Sequence, residues 1–357
     1  MTDRGGHTRP LADLRAPDEG AFGGKSTSLG ELIAAEIPVP PGFAISTSAF
    51  HAFLEAGSVK GRIAEAMAGM RADDVATVQA AADRIRGAVC ATEIPDTVRS
   101  EIAAAYEELA RSVGEDEPAV AVRSSAVGED SGEATFAGQQ ETYLWVRGAD
   151  GVCHAVRDCW ASTFSAPAMS YRAKMAADRQ PEMGVTVQLM VDAAVSGVMF
   201  TCNPVSGDPS VVAINASWGL GLGVVGGEVT PDEYLVSKVT GEVVRRTVAA
   251  KHIEYRADPS GRGTVCVDVA PERQSEPALD DERLAGLVDV ARRVHKYFGS
   301  HQDVEWALAG DGSLYVVQSR PVTATGAAAK EEGTEQPTPG SALSMVMSKF
   351  GAGGGTG

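Results

Sequence analysis

Apolar residues recur at helical spacing between about residues 49 and 113: Ile63, Met67 and Met70, then Val75, Val78, Ile85 and Val89, then Val98, Ile102, Tyr106 and Leu109. That spacing predicts a helical hairpin or small bundle packed on another element. From Pro118 the period changes. Ala119–Val122 reads as a short buried strand that runs into Arg123-Ser124-Ser125 and then a Gly/Ser/Asp-rich loop ending near Gly138. Thr142–Val146, Val185–Val191, Gly197–Thr201 and Val211–Asn215 read as further strands. Asp281–Phe298 is an amphipathic helix with Leu284, Leu287, Val288, Ala291, Val294 and Phe298 on one side and Gly299 as its stop. Strands and helices mixed without a regular βαβ period favour an α+β fold.

The segment before about Ser48 carries a Gly-Gly-Lys-Ser turn, an apolar helical stretch (Leu29, Leu32, Ile33) and a Pro-rich exit at Pro38, Pro40 and Pro41. Beyond Thr323 the composition collapses into Ala, Glu, Gly, Pro and Thr. Lys330–Gly340 reads as a linker, Ser341–Phe350 as a short helix and Gly351–Gly357 as a flexible end. The collapse sets 326–357 apart as a flexible linker and tail.

Composition narrows the function. The 357 residues are 44% apolar and 22% charged, enough for two domains with a sizeable core. A net charge of −17 repels phosphate backbones and anionic lipid, so no nucleic-acid or membrane role is expected. A small anion remains possible where a local basic pocket with a metal overrides the global field. The five cysteines (Cys90, Cys153, Cys159, Cys202, Cys266) include no Cys-x-x-Cys pair. Cys153, His154 and Cys159 cluster, with thiols on a helix as the plainer reading than a metal site. Met1–Gly20 has no apolar core of a secretory signal, so a cytoplasmic location is expected.

Three glycine-rich segments suit phosphate. Gly23-Gly24-Lys25-Ser26 resembles the end of a Walker A loop, but Glu19 stands where that motif needs glycine and no apolar strand precedes it. Flexible glycines, an ammonium and hydroxyls opening a helix still fit a triphosphate; an ordinary solvated turn fits equally. Gly221, Gly223 and Gly226 satisfy a dinucleotide fingerprint, but Thr230-Pro231-Asp232 breaks the expected helix and no suitable acid follows. Arg123-Ser124-Ser125 delivers a guanidinium that can grip phosphate oxygens or pair with Glu129 or Asp130.

The sharpest local argument lies at residues 303–320. Asp303–Leu308 alternates polar and apolar, Leu314–Arg320 is a second strand, and Gly310-Asp311-Gly312 lies between them. With Asp311 and Gly312 as a two-residue turn, Glu305 faces Gln318 and Asp303 faces Arg320, all four on one side. Carboxylate and amide oxygens are the ligands Mg²⁺ takes beside water and nucleotide phosphate. A solvated face with one salt bridge is the alternative.

Together and in this order, Gly23-Gly24-Lys25-Ser26, Val39-Pro40-Pro41-Gly42-Phe43, Ala121–Ala126, Phe136–Thr142, Ser196–Thr201, Pro231-Asp232-Glu233-Tyr234, Gln302–Trp306 and Val317–Val322 resemble the N-terminal nucleotide-binding domain of the pyruvate phosphate dikinase, phosphoenolpyruvate synthase and rifamycin phosphotransferase family. The resemblance covers about residues 10–323. It implies an α+β ATP-grasp fold, two α+β subdomains clamping ATP. The first would be 1–195 with the helical insertion, and the second 196–325 with the hairpin. It implies that Lys25 and Arg123 touch the phosphates and that Gly138 and Thr142 belong to a loop over the nucleotide. Gln188 would lie on the purine and ribose side, Glu305 and Gln318 would hold Mg²⁺, and Arg320 would face the terminal phosphate.

In that family a histidine on a separate swivelling domain attacks ATP and carries phosphate onward. None of the six histidines (His7, His51, His154, His252, His295, His301) lies in the family's Thr-Ser-His motif. The resemblance therefore implies the ATP-binding subunit of a split phosphotransferase, with the histidine and acceptor domains on a partner. The family usually has Glu after Gly-Leu-Gly, where this chain has Leu222, so a non-catalytic ATP-sensing or scaffolding module is the second expectation. Carboxylate–amine ligation through an acyl phosphate is the third.

Overall fold

The structure is a computed structural model, and it describes residues 6–56, 59–71, 73–128, 141–174 and 182–322. Gly138 and the expected tail 326–357 lie outside the described residues. The chain divides into two compact units, Met1–Glu31 with Pro41–Met190, and Leu32–Pro40 with Val191–Gly357.

The first unit is built on five antiparallel strands: β1 (Thr8–Pro10), β2 (Gly42–Ile45), β3 (Val120–Ala126), β4 (Thr142–Val146) and β5 (Met183–Leu189), in the order β1-β2-β5-β3-β4. Its helices are α1 (Glu19–Phe22), α2 (Gly24–Ala34), α3 (Thr47–Glu55), α4 (Val59–Ala68), α5 (Val75–Cys90), α6 (Asp96–Val113), α7 (Ala149–Ser162) and α8 (Ala166–Lys174). Side chains alternate along a strand, so each face of the sheet has its own composition. Phe43, Ile45, Val120, Val122, Val185 and Val187 face a core completed by α5–α7, including Val78, Ile85, Val89, Val98 and Ile102. Trp160 anchors it, its ring 5.6 Å from Phe50 and 5.0 Å from Phe53. Burying each such side chain contributes about 1.5–3 kcal/mol. The helical period of 49–113 is used as expected except at two positions: Met67 on α4 is 42% exposed, and Val75 is 82% exposed because it opens α5 at the solvent edge. Cys153 and Cys159 are buried on α7, while His154 points outward. Burial pushes the Cys153 thiol up to about 11 and Cys159 further.

The second unit carries six antiparallel strands in the order β13-β12-β6-β7-β8-β9. They are β6 (Ala193–Phe200), β7 (Val211–Trp218), β8 (Asp232–Ser237), β9 (Val243–Thr247), β12 (Gln302–Ala309) and β13 (Leu314–Pro321); β10 (Ile253–Ala257) and β11 (Thr264–Asp268) form a separate hairpin. Its helices are α9 (Leu222–Val225), α10 (Pro271–Gln274) and α11 (Asp281–Phe298). The Asp280 side chain accepts from Arg283 N at 2.9 Å at the start of α11, and left-handed Gly299 ends it. Leu284, Leu287, Val288, Ala291 and Val294 are buried along this helix, and Leu287 shares a cavity with Trp306, Leu308 and Leu314. The other face of the sheet holds a small apolar cluster of Val198, Phe200, Ala213 and Val224, with Leu235 packed against it, beside the polar residues Glu305, Asn215 and Ser217.

The Pro-rich segment Leu32–Pro40 belongs to this second unit. Val316 N donates to Pro38 O at 2.8 Å, and Arg293 donates to Glu36 O. Among the described residues no helix is long and apolar enough to cross a membrane.

Candidate functional site

In the first unit, β3 pairs with β4 and β5 so that Arg123 faces both Thr142 and Thr186, while Ala121 faces Gln188. Alternation then places Arg123, Thr142, Thr186 and Gln188 on one face, opposite the valine core. The N-terminus of α2 docks on this same face. Ser26 Oγ is 2.7 Å from Thr186 Oγ1, and Ser26 N donates to Ser125 Oγ at 3.2 Å. Lys25 Nζ donates to Ser124 O at 2.9 Å and is buried with Arg123 and Gln188, whereas Thr142 is exposed. Four of the expected residues, Lys25, Arg123, Thr142 and Gln188, are therefore gathered by one sheet face and one helix start.

In the second unit the expected pairs are present: Glu305 faces Gln318 and Asp303 faces Arg320. The turn that produces them is not the expected one. Ala309 N donates to Ser313 O at 2.9 Å and Gly312 N to Ala309 O at 3.0 Å, so the loop has three residues, with Gly312 at φ 89°. From Leu308↔Leu314 to Trp306↔Val316 the register is one residue short of the two-residue-turn register. A bulge at Val317 restores it between Trp306 and Glu305. The bulge also resets the alternation, so that Val316 is buried beside Trp306 while Gln318 lies beside Glu305.

Asp303 and Gln318 are buried and Glu305 is half-buried. Arg320 Nε and one terminal nitrogen meet the same Asp303 oxygen at 2.9 and 2.8 Å. The other Asp303 oxygen is buried without a hydrogen bond. Burial pushes the Asp303 carboxyl up to about 6, against the pull of the Arg320 guanidinium. Two hard oxygen donors side by side fit Mg²⁺, which keeps waters and takes phosphate oxygens for its remaining positions. Among the described residues no group of three or more His, Cys, Asp or Glu side chains is placed to hold a metal, so a cation here would rely on such outside ligands.

The dinucleotide reading fails on topology as well as on sequence. The glycines of residues 219–226 lead into α9, a single turn, and the strands on either side are antiparallel. Leu222 opens α9 and is 36% exposed. Asp232, from the Pro-Asp-Glu-Tyr segment, is fully buried against Lys251, with Nζ to Oδ1 at 2.6 Å. It also accepts from Ala249 N at 2.9 Å and Ala278 N at 2.7 Å, which ties β8 to the segments on either side of the β10–β11 hairpin.

Sequence reasoning missed Thr186, which meets Ser26 on the face of Arg123. A hydroxyl or amide inside a strand has no periodic signature, and only the register shows which face it joins.

Residues 19–339 match the family described as "Pyruvate phosphate dikinase, AMP/ATP-binding domain". The chain is 41% identical over 320 residues to the "Probable phosphoenolpyruvate synthase" of Methanothermobacter thermautotrophicus, covering 89% of this chain and 46% of that protein. It is 40% identical over 363 residues to the phosphoenolpyruvate synthase of Pyrococcus furiosus, covering 91% and 44%. It is 41% identical over 315 residues to the rifampicin phosphotransferase of a Streptomyces species, covering 88% and 35%. The chain therefore belongs to the pyruvate phosphate dikinase AMP/ATP-binding domain family, and with that membership goes the α+β ATP-grasp class expected from the sequence. It spans less than half the length of these relatives.

Proposed function

We propose that this chain binds Mg·ATP and presents it for transfer of a phosphoryl or pyrophosphoryl group to a histidine on a separate swivelling domain or protein. From there the group passes to a small-molecule acceptor. The observation that carries the reading is the hairpin pairing of Glu305 with Gln318 beside Asp303 and Arg320, within a domain whose family binds AMP or ATP.

In the second unit, Glu305 and Gln318 hold Mg²⁺, and Arg320, oriented by Asp303, faces the terminal phosphate. In the first unit, Lys25 and Arg123 take phosphate oxygens, Gln188 the purine and ribose side, and Gly138 with Thr142 the loop over the nucleotide. Bound Mg²⁺ supplies neutralisation of phosphate charge. The protein's own part is to position and to stabilise charge: a P–O bond of ATP breaks as an N–P bond to the histidine forms. The chemistry takes place in the cytoplasm.

Glu305→Ala tests the metal assignment. Calorimetric titration with Mg·ATP is expected to show affinity lowered at least tenfold, and unchanged affinity would refute the assignment. Transfer is tested by incubating the chain and labelled ATP with a histidine-domain protein that carries the Thr-Ser-His segment and no nucleotide-binding domain of its own. Label on that histidine supports the enzyme reading. Tight ATP binding with no label favours a non-catalytic ATP-sensing module, a reading motivated by Leu222 in place of the family's Glu.

A further inference from the structure

Three of the buried side-chain oxygens that lack a hydrogen bond lie on the face of the second unit's sheet that carries Glu305: Asp303 Oδ1, Asn215 Oδ1 and Ser217 Oγ. The strand register relates them. Gln318 faces Glu305, Glu305 faces Val198, Val198 faces Asn215 and Asn215 faces Glu233, so these five residues form one row across β13, β12, β6, β7 and β8. Directly paired residues point to the same side, so Asn215 and Glu233 share the face of Glu305 and Gln318. Ser217 is two residues along β7 and shares it too. Asn215 is 3% exposed.

A buried amide oxygen without a partner costs stability, and proteins seldom keep one for packing alone. Leucine would fill the same volume without that cost. The apolar cluster of Val198, Phe200, Ala213 and Val224 lies directly beside it, so the surroundings favour such a replacement. Asn215 lies two strand spacings, about 9.6 Å, from Glu305 along the row. That is too far to share a ligand position with Gln318. It is within reach of a water on the same cation, because a water across the metal plus one hydrogen bond spans about 7 Å and side chains lean.

We propose that Asn215 is a positioning residue for the bound metal–nucleotide, accepting a hydrogen bond from water on the cation held by Glu305 and Gln318. Glu233 continues the row beyond Asn215, and Ser217 lies beside it on the same face. Mg²⁺ keeps several of its waters, and acceptors for those waters orient the whole assembly. This inference rests on the proposed Mg·ATP site and adds a residue that the hairpin argument does not contain.

The test uses Mn²⁺ as the probe, with ATP present, and reads free Mn²⁺ by electron paramagnetic resonance alongside the thermal midpoint. In Asn215→Leu the dissociation constant for Mn²⁺ is expected to rise at least tenfold, the scale of lost outer-sphere support. The midpoint is expected to hold or rise, because the amide without a partner is gone. Asn215→Asp, which keeps an acceptor, is expected to hold Mn²⁺ at least as tightly as the parent chain. Unchanged Mn²⁺ affinity in folded Asn215→Leu overturns the proposal; should that variant fail to fold, unchanged affinity in Asn215→Ala overturns it instead. Failure of the parent chain to bind Mn²⁺ with ATP brings down the site itself. Parent binding that Glu305→Ala abolishes and Asn215→Leu leaves intact brings down only the role of Asn215.

Discussion

At the scale of single residues, the start of α2 shows how closely backbone and side chain are matched. Gly23 stands at φ 79°, and a Cβ there would lie 2.0 Å from Ser125 O. A glycine is required twice over, once for the dihedral and once for the approach of the helix start to β3. This approach sets Lys25 Nζ on Ser124 O and Ser26 on Thr186. Backbone at φ 79° and ψ 161°, a region essentially only glycine occupies, costs another residue about 1–3 kcal/mol, and the backbone clash adds to it. Gly23→Ala is therefore expected to lower unfolding free energy by more than about 2 kcal/mol in urea titration and to weaken ATP binding with it. A change under about 0.5 kcal/mol would mean that α2 can pull back from β3 at no cost. The Gly-Gly-Lys-Ser turn was legible in the sequence as a helix start. Its partner Thr186, an ordinary strand residue, was not.

At the scale of elements, the β12–β13 hairpin separates what a pattern can reveal from what it cannot. Asp-Gly between alternating runs specified a hairpin, and the side on which Glu305 and Gln318 fall follows from the polar residues themselves. The details near the turn differ because two demands compete. Val316 must be buried with Trp306, and Gln318 must stay with Glu305, yet an unbroken strand would put both on one face. The three-residue loop and the bulge at Val317 resolve this, and their two register shifts cancel at Glu305. Sequence periodicity carries no signal for a pair of compensating irregularities. The loop depends on Gly312 at φ 89°. Gly312→Ala is expected to cost about 1–2 kcal/mol, because only glycine adopts that conformation freely, while leaving Mg·ATP affinity within about twofold. Equilibrium unfolding beside calorimetric titration checks both halves. A large loss of affinity would show that the far end of the hairpin, and not the Glu305 row alone, sets the site.

At the scale of the whole molecule, the α+β class was readable from mixed periods, but the membership of each unit was not. Leu32–Pro40 joins the second unit through hydrogen bonds from β13 and α11, contacts of residues 293 and 316 that nothing in a Pro-rich stretch announces. Charge poses the larger question, since a chain of net charge −17 is proposed to hold a polyanion. The proposal requires that local cations do what the global field opposes. Mg²⁺ must then be part of the ligand, because Glu305 itself repels bare phosphate. Linkage turns this into a measurement. A ligand at one hundred times its dissociation constant stabilises the folded chain by about 2.7 kcal/mol. For a unit of 150–250 residues that is a rise of about 5–10 °C in melting temperature. Mg·ATP is expected to give such a rise, and ATP with EDTA a much smaller one. In Glu305→Ala the advantage of the metal is expected to vanish, since the carboxylate that needed neutralising is gone together with the metal's ligand. An equal rise with and without EDTA in the parent chain would place the phosphates away from the hairpin and leave the first unit's basic face, Lys25 and Arg123, as the whole of the anion site.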